Sequence, residues 1–194
     1  MARSDRQLIA AAKSGSQDAY RDLVERYQRP VFALVVRIVR DRALAEDVAQ
    51  EAFIKAFQAL GTFEIQRKFS SWLFKIAHNS AIDALRRKRV ATVPLESPHE
   101  EGPDLLDSLP GPESDSPEAV LAGRDVARAL SQALGELRPD YRSAVELRFI
   151  QGLTYEEISE IMQIPLGTVK THLHRARKAL AAALRARGFE PPAR

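Results

Sequence analysis

Thr171, His174, Arg175 and Lys178 share one side of a helix if the chain advances by about 100° per residue. A hydroxyl, an imidazole, a guanidinium and an ammonium on one face suit the edge chemistry of a DNA major groove. Arg grips guanine through two hydrogen bonds, Thr meets a thymine methyl or a phosphate, and Lys neutralises backbone charge. The opposite side carries Val169, Leu173, Ala176, Leu180 and Leu184 at three- and four-residue spacings, a stripe that must face a core. Upstream, Thr154 and Glu157 form a T-x-x-E capping box, followed by Ile158 and Ile161 as a short apolar face. Pro165 and Gly167 then interrupt the pattern. Residues 153–180, LTYEEISEIMQIPLGTVKTHLHRARKAL, thus read as a helix-turn-helix. A basic helix face is more often merely solvated, but capped helix, turn and amphipathic partner together favour DNA contact.

Two further constellations precede it. Asp47, Gln50 and Glu51, at i, i+3 and i+4, form a polar ridge on a helix expected over 42–60. Leu44, Val48, Ala52, Phe53, Ile54 and Phe57 are expected to pack that helix. An acidic ridge on an otherwise basic block fits a basic protein surface better than DNA, which it would repel. A second helix, expected over 70–89, carries Trp72, Leu73, Ile76, Ile82 and Leu85 as apolar contacts, with Phe69 just before it. Lys75, His78, Asn79 and Asp83 are its polar positions, and Arg86-Arg87-Lys88-Arg89 closes it. The loop before it adds Phe63, Arg67 and Lys68. Aromatic rings interleaved with bases suit a single strand, whose bases stack while cations follow the phosphates. Trp72 reads equally well as a core residue with one edge at the surface.

These groups need helices to hold them. Helical periodicity runs over 5–14, 17–40, 42–60, 70–89, 117–137, 140–151, 154–162 and 165–187, with Gly15, Gly61, Gly152 and Gly188 as stop signals. No alternating run argues for a strand. The expected fold class is all-α, as two small helical domains: 1–91, a bundle, and 125–194, the helix-turn-helix. They are joined by an extended acidic linker, 92–124. Six of the eleven prolines fall in 90–118, which disfavours helix there. From 92 to 123 there are eight acids and no Lys or Arg. Removing those eight charges from a chain of net charge +3 leaves +11 on the remainder. Two basic blocks imply a polyanion partner.

Several function classes drop out. With no cysteine there is no disulfide frame, thiolate metal site or Cys nucleophile. His172 and His174, two of four histidines, lie about 200° apart on one helix and cannot share a metal from it. No P-loop or G-x-S-x-G occurs. No metal, cofactor or catalytic residue is therefore expected. The N-terminal stretch lacks the apolar core of a signal peptide, and no apolar run approaches about 18 residues, so a soluble, cytoplasmic protein is expected.

Taken in order, DVAQEAFIKAFQAL (47–60), FSSWLFKIAHNSAIDALRR (69–87) and the helix-turn-helix resemble the extracytoplasmic-function (ECF) sigma factors of bacterial RNA polymerase, in the sigma-70 family. These carry only a σ2 and a σ4 domain, and the resemblance spans nearly the whole chain. It implies a sigma factor that binds core polymerase and directs promoter-specific initiation. Asp47, Gln50 and Glu51 would meet the clamp helices of the largest subunit, and the flap of the second-largest subunit is a further contact. Phe63, Arg67, Lys68, Trp72, Lys75, His78, Asn79, Arg86 and Arg87 would capture the melted −10 strand, Asn79 and the loop forming a pocket for a flipped base. Lys170, Thr171, His174 and Arg175 would read the −35 duplex, with Arg177 and Lys178 on phosphates and Thr154 on the same side. The acidic linker would thread the polymerase's basic channels in place of RNA. An anti-sigma factor is an implied partner. The alternative is a helix-turn-helix regulator acting without the polymerase, but such a protein has no need of the acidic ridge or of a separate aromatic single-strand site.

Overall fold

Local sequence signals set most of the helix ends. The computed structural model describes residues 3–91 and 117–189; of the extended linker expected over 92–124, residues 92–116 lie outside the described residues, and 117–124 are helical instead, as the first turns of a helix that begins at Pro117. Helix α1 (Asp5–Lys13) starts in a capping box made by Ser4 and Gln7. The Ser16 side chain caps α2 (Gln17–Val39), and the Asp41 carboxylate accepts from the Leu44 N–H to cap α3 (Arg42–Gln58). A 3-10 turn, Leu60–Thr62, leads towards α4 (Phe69–Ala91). After the gap come α5 (Pro117–Glu136), α6 (Pro139–Val145), α7 (Tyr155–Met162) and α8 (Leu166–Ala186). No strand occurs among the described residues.

The helices lie where periodicity expected them, with two differences. The helix expected over 42–60 stops at Gln58 and tightens into the 3-10 turn. The one expected over 140–151 loses α geometry after Val145 and continues as a π-helical turn, Glu146–Ile150. Such wide turns are rare and are found frequently at functional sites. Ile54 is a correction. Expected to pack, it is 57% exposed, because positions 47, 50, 51 and 54 recur on one helical face and that face points outward.

Helices α1 to α4 form a bundle in which α2 packs against α1, α3 and α4. Helices α5 to α8 gather around α8 and the π turn. The halves also touch each other, α4 against α7 and α2 against α6. One apolar cluster runs through both, from Leu8, Leu23 and Leu73 to Leu147, Ile158 and Val169.

Polar groups bind the contact. Arg37 of α2 and Glu146 of the π turn form an ion pair whose side chains are 4% and 3% exposed. Arg142 donates to the carbonyls of Arg37 (2.9 Å) and Ile38 (3.2 Å), at the end of α2 where helical carbonyls lack partners. It also donates to Gly135 and Leu137 within its own half. Arg40, in left-handed geometry at φ 57°, caps α2 and sends its guanidinium to the Gly135 carbonyl at 2.9 Å. Gly135 is needed for this approach: a Cβ there would lie 2.5 Å from the Arg40 guanidinium. Burial pushes the Glu146 carboxyl up despite Arg37, and burial beside Arg40 lowers the Arg142 pKa to about 10.

Candidate nucleic-acid interface

The turn between α7 and α8 is built from backbone chemistry. The Thr154 hydroxyl accepts from the Glu157 N–H at 3.2 Å, and the Glu157 carboxylate accepts from the Thr154 N–H at 2.9 Å. Gln163 ends α7 in left-handed geometry, and the Ser159 hydroxyl donates to the Ile164 carbonyl at 2.6 Å. Helix α8 then buries Val169, Leu173 and Ala176. Lys170, Thr171, His174, Arg175, Arg177 and Lys178 all stand exposed. The Thr171 hydroxyl donates to the Gly167 carbonyl at 2.9 Å, and Arg175 donates to the Tyr141 hydroxyl at 3.3 Å. His172 turns inward against the Tyr141 ring, 5.1 Å between centroids. A basic face over a packed back is thus complete on α8.

The second region surrounds the start of α4. Phe63, Phe69 and Trp72 form one aromatic cluster, with centroids 5.0 to 5.7 Å apart, and Tyr27 adds an edge-on contact to Phe69. Phe63 and Phe69 are buried and Trp72 is partly buried, so the rings position the loop and leave only the Trp72 flank near solvent. Lys13 anchors that loop from α1, donating to the Phe63 carbonyl at 2.7 Å. Arg67 and Lys68 are exposed, Lys75 and Asn79 partly so, and Arg86 and Arg87 are exposed at the far end.

His78 is different. It is 5% exposed, and neither ring nitrogen has a protein hydrogen-bond partner of good geometry. Burial holds its pKa below the ordinary 6.5, with Asn79 and Asp140 pulling the other way. Glu157 reaches this region from α7. Its Oε1 accepts from the Ser71 hydroxyl at 2.9 Å and lies 3.2 Å from the Lys68 ammonium. Burial alone would push this carboxyl up, but the Thr154 N–H, Ser71 and Lys68 together hold it below the usual range.

The third region is the ridge on α3. Asp47 and Gln50 are exposed and Glu51 is partly exposed. Glu51 pairs with Lys55 at 2.7 Å and with Arg87 at 3.6 Å, and the Lys55 contact foremost keeps its carboxyl low. The ridge continues into the exposed Ile54. A separate apolar pair, Phe149 (68% exposed) and Ile150 (44%), stands on the π turn. Sequence reading missed all three as exposed apolar residues. For Ile54, the spacing from Asp47 and Gln50 carried the signal. No group of metal-ligating side chains occurs among the described residues. No helix among them is long and apolar enough to cross a membrane.

A basic outer face on α8, an aromatic-and-basic loop before α4 and an acidic ridge on α3, all on one helical chain, have the chemistry of a DNA-binding protein. Family models agree with both halves: Sigma-70 region 2 matches residues 23–90, and Sigma-70, region 4 matches 127–180. The ECF sigma factor SigW of Bacillus subtilis is 37% identical over 178 residues, 91% of this chain and 95% of that protein. The sigma-H factor of Pseudomonas aeruginosa is 38% identical over 93% of each chain, and the ECF sigma-E factor of Escherichia coli K12 is 36% identical over 91% and 92%. Among solved structures, CnrH in complex with the cytosolic domain of CnrY superposes with a TM-score of 0.64 at 27% identity, over 94% of this chain and 97% of that one. RpoE with the anti-sigma factor NepR, from Bartonella quintana, shares the fold at a TM-score of 0.64 and 21% identity, over 86% and 96%. The chain belongs to the ECF sigma factors of the sigma-70 family. It is a polymerase-associated sigma factor rather than a free-standing regulator.

Proposed function

We propose that three surfaces divide the work of initiation. The observation that carries this is their separation: the α3 ridge, the start of α4 and the outer face of α8 present acidic, aromatic-basic and basic chemistry on three different elements. Asp47, Gln50 and Glu51 dock on the clamp helices of the largest polymerase subunit, and Ile54 extends that contact. Phe149 and Ile150 offer the flap of the second-largest subunit an apolar foothold. Arg67, Lys68, Lys75, Asn79, Arg86 and Arg87 follow the melted −10 strand, with Phe63 and Trp72 supporting the loop. His78, packed inside, becomes available to the strand only if its cover moves. Lys170, Thr171, His174 and Arg175 read the −35 duplex, and Arg177 and Lys178 hold phosphates. Thr154 shapes the turn as a helix cap. Residues 1–91 and 125–194 act as the two working domains, and the acids of 92–124 occupy the basic channel ahead of the transcript. An anti-sigma factor is a fitting partner, since RpoE of Bartonella quintana, which shares the fold, is in complex with the anti-sigma factor NepR. The chain works beside polymerase in the cytoplasm, and the bond-forming chemistry is the polymerase's.

The test mixes the chain with core polymerase and genomic DNA and maps transcript 5′ ends. Start sites sharing spaced −35 and −10 elements are expected; transcripts without shared elements would refute the division. Glu51→Lys and Asp47→Lys are each expected to abolish holoenzyme formation while helicity is retained. Undiminished core binding by both variants would remove the ridge from the docking surface.

A further inference from the structure

Helix α1 precedes the region 2 match, which begins at residue 23, yet it reaches both ends of the loop before α4. At the start of the loop, the Lys13 ammonium donates to the Gly61 carbonyl at 3.2 Å and to the Phe63 carbonyl at 2.7 Å. The Phe63 N–H donates to the Leu60 carbonyl at 3.1 Å. Both backbone polar groups of Phe63 are thus fixed, while its ring packs against Phe69 and Trp72. At the far end, the Asp5 carboxylate accepts from the Tyr27 hydroxyl, and the Tyr27 ring meets Phe69 with centroids 5.4 Å apart. Burial, with Asp5 beside it, pushes the Tyr27 phenol up, so it stays a donor at any working pH. Arg26 steadies the same carboxylate at 2.5 Å. Between the two anchors, Leu8, Ile9 and Ala12 bury one face of α1. At about 1.5 Å per residue, Asp5 and Lys13 stand about 12 Å apart on a rigid helix.

We propose that α1 is the frame of the strand-capture loop, and that Lys13 and Tyr27 are positioning residues which set how sharply a −10 base is chosen. The inference rests on the proposed strand-binding role of this loop. Between its anchors the loop turns on itself, the Arg67 N–H donating to the Glu64 carbonyl at 2.9 Å, and it presents Arg67 and Lys68 outward. Drawing a base out of its stack costs free energy, and the pocket that receives it makes the choice. Such a pocket selects only if its walls hold still to within about 0.5 Å. A loop that drifts further fits several bases about equally well, so selectivity is lost before affinity. Lys13 suits the task because a charged donor makes stronger bonds to carbonyls than a neutral one. One ammonium also ties together two carbonyls of the same turn. With two of its three donors on the loop backbone, Lys13 acts through the loop rather than on the strand.

The experiment uses the full chain with core polymerase. The probe is fork DNA made from a promoter recovered by transcript mapping, with a duplex −35 element and a single-stranded −10 non-template strand. Each −10 position carries the four bases in turn. Lys13→Met keeps the apolar stem and removes the donors, and Lys13→Arg keeps both donors and charge. Tyr27→Phe removes only the hydroxyl and is the milder change. Lys13→Met is expected to reduce discrimination at one −10 position about 10-fold, with core binding and the salt dependence of fork binding unchanged. Tyr27→Phe should reduce discrimination at the same position by less, and Lys13→Arg should restore it. Equal weakening on every fork, with a shallower salt slope, would make Lys13 a phosphate contact and overturn the proposal. Discrimination left intact by both Lys13→Met and Tyr27→Phe, whatever their Tm, overturns it too and leaves α1 a prop for the bundle. A wild type that prefers no base at any −10 position, and is indifferent to Arg67→Ala and Lys68→Ala, overturns the strand role of the loop, and the frame falls with it.

Discussion

Arg175 must release one partner before it can take another. In the free chain its guanidinium donates to the Tyr141 hydroxyl at 3.3 Å, a long, exposed hydrogen bond whose net value is at most about 0.5–1.5 kcal/mol. A two-bonded grip on guanine discriminates by about 1–3 kcal/mol per base pair, so the exchange favours the base. Arg175→Ala should therefore weaken binding to the preferred −35 duplex by about 1–3 kcal/mol and relax preference at one position. A competition series over single-base variants checks this; equal weakening on every sequence would assign Arg175 to phosphates. His78 gives a residue-scale prediction of a different kind. Its pKa is depressed by burial, so between that value and 6.5 the unfolded chain holds the extra proton. Stability then rises with pH across that window and is lost on acidification below about 6.5. His172, depressed by burial too, acts in the same direction. Thermal unfolding at pH 7.5 and 5.5 should show a lower Tm at the acid end, with His78→Gln shrinking the difference. An unchanged difference would move the effect away from His78.

At the scale of elements, the capping box of α7 decides whether the recognition helix is presented correctly. Both reciprocal bonds are present, and loss of a Thr cap costs typically about 1 kcal/mol, up to about 2. Thr154→Ala should lower the Tm accordingly and weaken −35 binding through helix fraying. Thr154→Ser keeps the capping oxygen and should restore both. Failure of Ser to restore duplex binding, with Tm recovered, would mean that the Thr methyl itself touches DNA. This box was legible because caps and apolar periodicity are local. The same locality made the bounds of α2, α7 and α8 readable to within a residue or two. Ile54 was misread because hydrophobicity was taken to mean burial, although its spacing from Asp47 and Gln50 placed it on the outward face. The π turn at Glu146–Ile150 leaves no local signature, and its first residue finds its partner on another helix. Arg37 and Glu146 lie 109 positions apart. Each looks like an ordinary charge on an amphipathic helix, and only packing turns them into a buried pair. The aromatic loop was legible as a cluster of ring types. Which rings are sealed and which are partly open was set by α7, α1 and Tyr27, outside any local window.

For the molecule as a whole, the contact between the two halves depends on how strongly that buried pair acts. Two charges at 4% and 3% exposure lose most of their hydration, and their attraction offsets that cost only with good geometry. The raised pKa of Glu146 shows that desolvation wins over Arg37 for that carboxyl. The pair therefore specifies which surfaces meet more than it strengthens their meeting. Removing either side of the ion pair leaves a buried charge without it: Arg37→Ala or Glu146→Ala should cost about 3–5 kcal/mol of stability. Replacing both with apolar residues of similar length, Arg37→Met with Glu146→Leu, should be neutral or stabilising by about 1–4 kcal/mol. These variants set the two effects against each other in one assay. Denaturant unfolding monitored at Trp72, at the foot of the interface, should show the single variants opening early and the double variant opening late. Early opening by the double variant would show that the ion pair, rather than the apolar contact around it, holds the two halves together.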